Sequence, residues 1–350
     1  MPFFNLTSRG AGQGVVGRGS SIKPYLLRQI LTVGYVAAGY KDSVAWRNVN
    51  KMTYATETTA NLGDLLQEAA NYTKGAQTKN TAYVFSTNGT GTQGVGAFTS
   101  TSCFNMRNDT SMTKNNNMNS GATIGDASSI MSTDVQGNYL YCYANGNIGN
   151  STIQKFNLTT ETFTTGLSTT LRQDGTGASA HYQDTSGYWV ADAGDSNTAA
   201  RKKFVFATET ETTPSTSMAS DGQQKGMNAK TGFGYAGNEG GYGSGRYFRK
   251  WSYATEVTVS TIQKGVWYCG EENFAMAQNA GYMLGAYTEA TGGNASVSGQ
   301  HNDAAKFDYS TDIGTKLGAS AMPTGTQSGT GSSAGSPIAG RSSGVPFWRD

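Results

Sequence analysis

The sequence predicts an all-β fold, a single six-bladed β-propeller over residues 31–345, on three observations. One aromatic and acidic motif recurs six times, glycine is abundant while proline is scarce, and the aliphatic core residues are too few for a helical bundle. The copies of the motif are Lys51-Met-Thr-Tyr-Ala-Thr-Glu57-Thr, Cys103-Phe-Asn-Met-Arg-Asn-Asp109-Thr, Lys155-Phe-Asn-Leu-Thr-Thr-Glu161-Thr, Lys203-Phe-Val-Phe-Ala-Thr-Glu209-Thr, Lys250-Trp-Ser-Tyr-Ala-Thr-Glu256-Val and Lys306-Phe-Asp-Tyr-Ser-Thr-Asp312-Ile. Their anchors, Met52, Phe104, Phe156, Phe204, Trp251 and Phe307, stand 52, 52, 48, 47 and 56 residues apart. Two positions further on comes a second large apolar residue: Tyr54, Met106, Leu158, Phe206, Tyr253 or Tyr309. That period of two is expected of a strand with one buried face. The acid five positions after each anchor follows Thr or Asn, a composition that suits a turn closing a hairpin.

A second element recurs in the same phase: Gly34-Tyr35-Val-Ala-Ala-Gly39, Ala82-Tyr83-Val-Phe, Asn138-Tyr139-Leu-Tyr, Gly187-Tyr188-Trp-Val, Gly232-Phe233-Gly-Tyr-Ala-Gly237 and Gly281-Tyr282-Met-Leu-Gly285. This strand precedes its anchor by 16 to 25 residues, and 29 to 35 residues then lead to the next aromatic, room for two further short strands. A unit of about 50 residues holding several strands has the size of a propeller blade. The tyrosine strand followed by aromatic-x-Tyr-x-x-acid-Thr resembles the kelch repeat, a Tyr-Val-x-Gly-Gly strand and then a Tyr-Asp-Pro-x-Thr strand and turn. The paired glycines, the proline and the Trp that follows the turn in that pattern are missing here. The periodic residues are therefore expected to build and close blades, not to form six binding sites.

Composition agrees. In 350 residues, Leu, Ile, Val and Phe fill only 52 positions, and 19 Tyr, 5 Trp and 11 Met supply the remaining large apolar mass. Such a low aliphatic content accompanies disorder only when net charge is high, and here 26 basic residues face 24 acidic ones. With 47 Gly and 6 Pro the chain suits short strands and many turns. A net charge of +2 gives no pull towards nucleic acid or anionic membrane. No apolar run is long enough to span a bilayer and no cleavable signal is expected, so membrane insertion is not. Cys103, Cys142 and Cys269 lack the spacing of a zinc site and are odd in number, which predicts buried thiols made in a reducing cytoplasm.

Residues 1–30 lie outside the repeat. Gly10-Ala-Gly-Gln-Gly14-Val-Val-Gly17-Arg-Gly19 is glycine-rich, Arg9, Arg18, Lys23 and Arg28 are basic, and no acid precedes Asp42. This reads as an extended basic docking arm, with Phe3, Phe4 and Tyr25 as apolar anchors and Arg9, Arg18 and Lys23 as its charged contacts. At the other end, Ala321 to Gly344 lacks an anchor strand yet resembles the stretch before a tyrosine strand, such as Met218 to Thr231. The first repeat begins almost directly with its tyrosine strand, so a C-terminal strand is expected to complete the first blade, leaving 346–350 as a tail.

No motif carries chemistry convincingly. Gly12-Gln-Gly14-Val-Val-Gly17 fits GxGxxG and Gly331-Ser-Ser333-Ala-Gly335 fits GxSxG, but neither has the strand and helix its chemistry requires. The two histidines, His181 and His301, restrict triads and His-ligated metals, and each is expected to be structural. Glu271 and Glu272 are consecutive, so on a strand they point to opposite faces and would not share a substrate. The expectation is no catalytic residue, no cofactor and no metal. One loop, Gly237-Asn-Glu-Gly-Gly-Tyr242-Gly-Ser-Gly245-Arg-Tyr247, could present Tyr242, Arg246 and Tyr247 to a sugar, by stacking and cation–π contact.

The chain is also similar to a group of virion structural proteins of contractile-tailed marine cyanophages. The likeness lies in Ser8-Arg-Gly-Ala-Gly-Gln-Gly with Ile22-Lys-Pro-Tyr25, in Tyr40-Lys through Trp46-Arg-Asn-Val-Asn50, in Asn61-Leu-Gly-Asp64, and in Gly270-Glu-Glu-Asn-Phe-Ala-Met-Ala-Gln278 with Gly281-Tyr-Met-Leu-Gly285. The resemblance implies a non-enzymatic, multicopy component of the virion, at the head, neck or tail surface, whose partners are other virion proteins. The alternative is a receptor-facing propeller whose partner is a host-surface glycan.

Overall fold

A computed structural model describes residues 33–37, 40–41, 44–45, 47–67, 71–77, 81–88, 100–113, 129–131, 139–146, 150–168, 178–182, 186–191, 198–214, 218–219, 224–229, 232–238, 247–263, 274–276, 279–288, 299–317 and 336–338. Among them are 27 strands and no α-helix. The strands form six antiparallel sheets with one recurring order: a first strand, the tyrosine strand, the anchor strand and an outer strand. Sheet 2 runs Asn71–Gln77, Thr81–Asn88, Ser100–Asn105, Thr110–Ser111. Sheet 3 runs Ser129–Met131, Tyr139–Gly146, Asn150–Asn157, Thr162–Ser168. Sheet 4 has Ala178–Tyr182, Ser186–Ala191, Thr198–Val205 and Thr210–Thr212, with Met218–Ala219 paired to the far end of its anchor strand. Sheet 5 has Gln224–Ala229, Phe233–Asn238, Tyr247–Ser252 and Thr258–Gln263. Sheet 6 has Phe274–Met276, Ala280–Thr288, Gly299–Asp308 and Ile313–Lys316.

Sheet 1 draws on both ends of the chain. Its tyrosine, anchor and outer strands are Val33–Ala37, Asn48–Thr53 and Thr58–Asp64, but the strand in first place is Ser336–Ile338. Tyr35 pairs with Ile338 and Ala37 with Ser336, which is the pairing expected of the C-terminal stretch. First strands of successive sheets touch one another from sheet 2 through sheet 6, and Ser336–Ile338 touches those of both sheet 6 and sheet 2. Between two strands of sheet 1 sits a small hairpin, Tyr40–Lys41 with Val44–Ala45.

The turn after each anchor is the most uniform feature. In all six sheets the anchor strand ends one residue past its anchor and a turn begins at the next residue, so Tyr54, Met106 and their equivalents are turn residues. This corrects the reading of both large residues as one strand. Their side chains are nevertheless buried or half-buried, because the turn folds back over the neighbouring sheet. Asn105, Asn157 and Asp308, just after the anchor, accept backbone N–H bonds at 2.8 Å from two residues on, the Asx geometry that starts such turns. The amides of Glu256 and Asp312 close the loop on the carbonyls of Ser252 and Asp308. This geometry puts the last turn residue in the left-handed region. All six acids sit there, with φ between 52° and 57°, although glycine or asparagine would do so at less strain. Something must hold each acid in place.

Candidate functional site

The acids are held from across the gap between sheets. Tyr35 Oη donates to Asp109 at 2.7 Å, and Lys51 Nζ meets the other carboxylate oxygen at 2.5 Å. Tyr141 and Lys155 converge in the same way on Glu209 at 3.1 and 2.5 Å. Tyr188 and Lys203 meet Glu256 at 3.0 and 2.6 Å, and Tyr235 and Lys250 meet Asp312 at 2.8 and 2.7 Å. Tyr282 and Lys306 reach Glu57 at 3.2 and 2.6 Å, across 225 and 249 residues of sequence. Tyr83 donates to Glu161 at 3.3 Å, with Cys103 in the lysine position.

Strand register explains the convergence. Each of these tyrosines lies directly opposite its lysine on the adjacent strand: Tyr35 with Lys51, Tyr141 with Lys155, Tyr188 with Lys203, Tyr235 with Lys250 and Tyr282 with Lys306. Cross-strand neighbours share a face, so phenol and ammonium aim at one point on the next sheet. Alignment on Tyr139 and Phe233 is therefore corrected: in sheets 3 and 5 the tyrosine that reaches the acid is Tyr141 and Tyr235, two residues later on the same face. Tyr139 and Phe233 serve the lysine instead, their rings 3.7 and 4.7 Å from Lys155 Nζ and Lys250 Nζ, a cation–π contact.

Each tyrosine ring also wedges under the next turn. Four of the rings meet the anchor edge to face, as for Tyr35 with Phe104 at 5.3 Å, Tyr188 with Trp251 at 4.8 Å and Tyr235 with Phe307 at 5.3 Å. Three are stacked on the residue two past the anchor: Tyr282 on Tyr54, Tyr141 on Phe206 and Tyr235 on Tyr309. The rings of Tyr35, Tyr141 and Tyr235 are fully buried, as are the anchors Met52, Phe104, Phe156, Trp251 and Phe307. Burial, followed by the nearby carboxylate, pushes the phenols of Tyr83, Tyr235 and Tyr282 well above the usual tyrosine range. They remain neutral donors at physiological pH. Chemically, the assembly holds a carboxylate in place; its donors are directed at protein.

Of the residues singled out from sequence, Phe3, Phe4, Arg9, Arg18, Lys23 and Tyr25 lie outside the described residues, as do both glycine motifs, Glu271, Glu272, Cys269, Tyr242 and Arg246. Tyr247 opens the anchor strand of sheet 5, opposite Gln263. His181 and His301 are strand residues opposite Tyr188 and Ala286, and Cys142 lies opposite Gln154. Cys103 is a fully buried thiol. Among the described residues no three His, Cys, Asp or Glu side chains gather as for a metal. Sequence reading missed the lysine, whose signal was present: it stands one place before the anchor in five of six repeats, opposite in charge to the invariant acid.

This architecture is that of a β-propeller. The chain is similar to a β-propeller chain in the crystal structure of the nidogen/laminin complex, with a TM-score of 0.50, 8% identity, and coverage of 82% of this chain and 92% of that one. A likeness at that identity establishes the fold alone. No protein-family model matches the sequence, and no curated protein does.

Proposed function

We propose that the six sheets are the blades of one closed kelch-like propeller, and that the chain is a non-enzymatic structural or decoration protein of a phage particle. The closed ring is supported by the pairing of Ser336–Ile338 with Val33–Ala37 and by the contacts of Tyr282 and Lys306 with Glu57. The observation that carries a structural role is where the repeat places its polar groups. Six carboxylates, six phenols and five ammonium groups satisfy one another between sheets, which stiffens a scaffold. The virion assignment rests on the sequence resemblance quoted above.

In this reading residues 1–28 lie extended on a neighbouring virion subunit, Phe3, Phe4 and Tyr25 filling apolar sites while Arg9, Arg18 and Lys23 meet acidic or carbonyl-lined surface. A compact propeller has short, protected edges, and the arm is the segment with a marked charge bias. The test is deletion of residues 2–24. A truncated protein that folds normally but is missing, by mass spectrometry, from purified particles supports the arm; unchanged incorporation refutes it. A second reading, a glycan-binding propeller that contacts the host, rests on the glycine-rich segment carrying Tyr242 between two strands of sheet 5. Reproducible binding on a glycan array, lost in Tyr242→Ala, would favour it.

A further inference from the structure

One of the six seams is built from different materials. At the position that carries lysine in five repeats, the second carries Cys103, and the contact of Tyr83 with Glu161, at 3.3 Å, is the longest of the six. Apolar groups have entered the same seam. Phe85, two residues past Tyr83, stands where the other sheets carry Ala37, Tyr143, Val190, Gly237 and Leu284. Phe163, two past Glu161, replaces Thr59, Ser111, Glu211, Thr258 and Gly314. The rings of Phe85, Phe156 and Phe163 meet in all three pairs, with centroids 5.4, 5.8 and 4.9 Å apart. Cys103, Leu140, Met112 and Leu158 complete the cluster.

We infer that the seam between sheets 2 and 3 is locked by this apolar cluster in place of the charged pin, so that its two sheets stay joined when the seam between sheets 3 and 4 opens. A partly exposed ion pair contributes modestly and is screened by salt. Two additional phenyl rings, Phe85 buried and Phe163 half-buried, contribute more, and salt does not weaken them. The carboxylate of Glu161 is then nearly dispensable, whereas that of Glu209, which receives Lys155 and Tyr141, is not.

Peptide-resolved hydrogen exchange on the full chain tests this. Glu209→Gln is expected to speed exchange in Tyr139–Gly146 by about tenfold, and Glu161→Gln to change Thr81–Asn88 by less than about threefold. Raising NaCl from about 0.05 to about 1 M should follow the same division. Phe163→Thr, which installs the residue type of sheets 1 and 5, should speed exchange in Thr81–Asn88 by about tenfold or more. Phe163→Leu reads the same strand if the larger change prevents folding. Equal opening of both seams in the two Glu→Gln variants, or exchange unaffected by loss of the Phe163 ring, overturns the inference.

Discussion

Two seams between sheets are made of the same parts but reached by different routes. Between sheets 4 and 5, Tyr188 and Lys203 meet an acid 68 and 53 residues ahead. Between sheets 6 and 1, Tyr282 and Lys306 meet Glu57 across 225 and 249 residues. The lysine distance is 2.6 Å in both. A contact encoded within one repeat is thus indifferent to how far along the chain its partner lies, and the same Tyr–Lys–acid step recurs at five of the six seams. What differs is the entropy of closing the loop, which grows only slowly with its length. Sheet 1 offsets that term by taking its first strand from the C-terminus, so the seam that joins the chain ends is supported by backbone pairing as well.

Removing that support is the sharpest way to break the comparison. Truncation after residue 330 deletes Ser336–Ile338 and leaves one side of Val33–Ala37 unpaired. Buried backbone groups without partners are costly, and in the proposed closed ring every other seam depends on this one staying shut. The expected outcome is loss of a cooperative thermal transition, read by circular dichroism. A truncated chain melting within a few degrees of the parent would show that the seams suffice alone.

Alkaline pH strains both kinds of seam at once. The phenols of Tyr235 and Tyr282 are raised in the folded state by burial first, with the carboxylates of Asp312 and Glu57 adding to it. A raised folded pKa gives stability that is complete below the unfolded value of about 10. Above that pH the unfolded phenol ionises while the folded one does not, so stability falls, by at most about 1.4 kcal/mol per tyrosine per pH unit and less where solvent screens the site. Phenolate absorbance from the seam tyrosines should appear together with loss of ellipticity. If the absorbance lost in Tyr282→Phe belongs to a step before unfolding, while that lost in Tyr235→Phe does not, the seam joining the chain ends is the looser one.

A smaller effect distinguishes the anchors. Gly234 lies opposite Trp251, and a Cβ built there would stand 2.5 Å from the indole. Trp251 is fully buried, so Gly234→Ala forces an overpacked site and should cost about 1–3 kcal/mol in denaturant unfolding. In sheet 1 the corresponding Gly34 lies opposite Met52. Methionine repacks readily, and Gly34→Ala is expected to cost less. Equal costs would mean that the anchors are interchangeable.

These contacts also show what was legible in the sequence. Periodic anchors and a fixed acid are local features, and they led to the right number of sheets and the hairpin turn, while the missing first strand of the first repeat pointed to the C-terminal one. Register is not local. Tyr139 and Tyr141 lie on one face, and sequence alone cannot tell which faces the acid; pairing opposite Lys155 decides it. The left-handed φ of the acids was hidden for a related reason. Propensity disfavours Glu there, and only the phenol and ammonium supplied by another sheet explain why it persists. The proposed arm and the Tyr242 loop have no repeated partner from which to read a contact.

Lysine replacement is the gentlest and most direct comparison of the two routes. Lys306→Met and Lys155→Met each remove an ammonium while keeping the aliphatic stem, leaving Glu57 or Glu209 with its tyrosine alone. Both pairs are partly exposed, with side-chain exposures of 35% and 32% at Lys306 and Glu57 and 21% and 31% at Lys155 and Glu209. Each substitution should therefore cost about 1 kcal/mol or less at equilibrium, shrinking in high salt. The kinetics should separate them. If the seam joining the chain ends forms last, Lys306→Met acts almost wholly on the unfolding rate, whereas Lys155→Met, between sheets adjacent in sequence, also slows folding. Identical partition between folding and unfolding rates in stopped-flow measurements would mean that the two seams form in no fixed order.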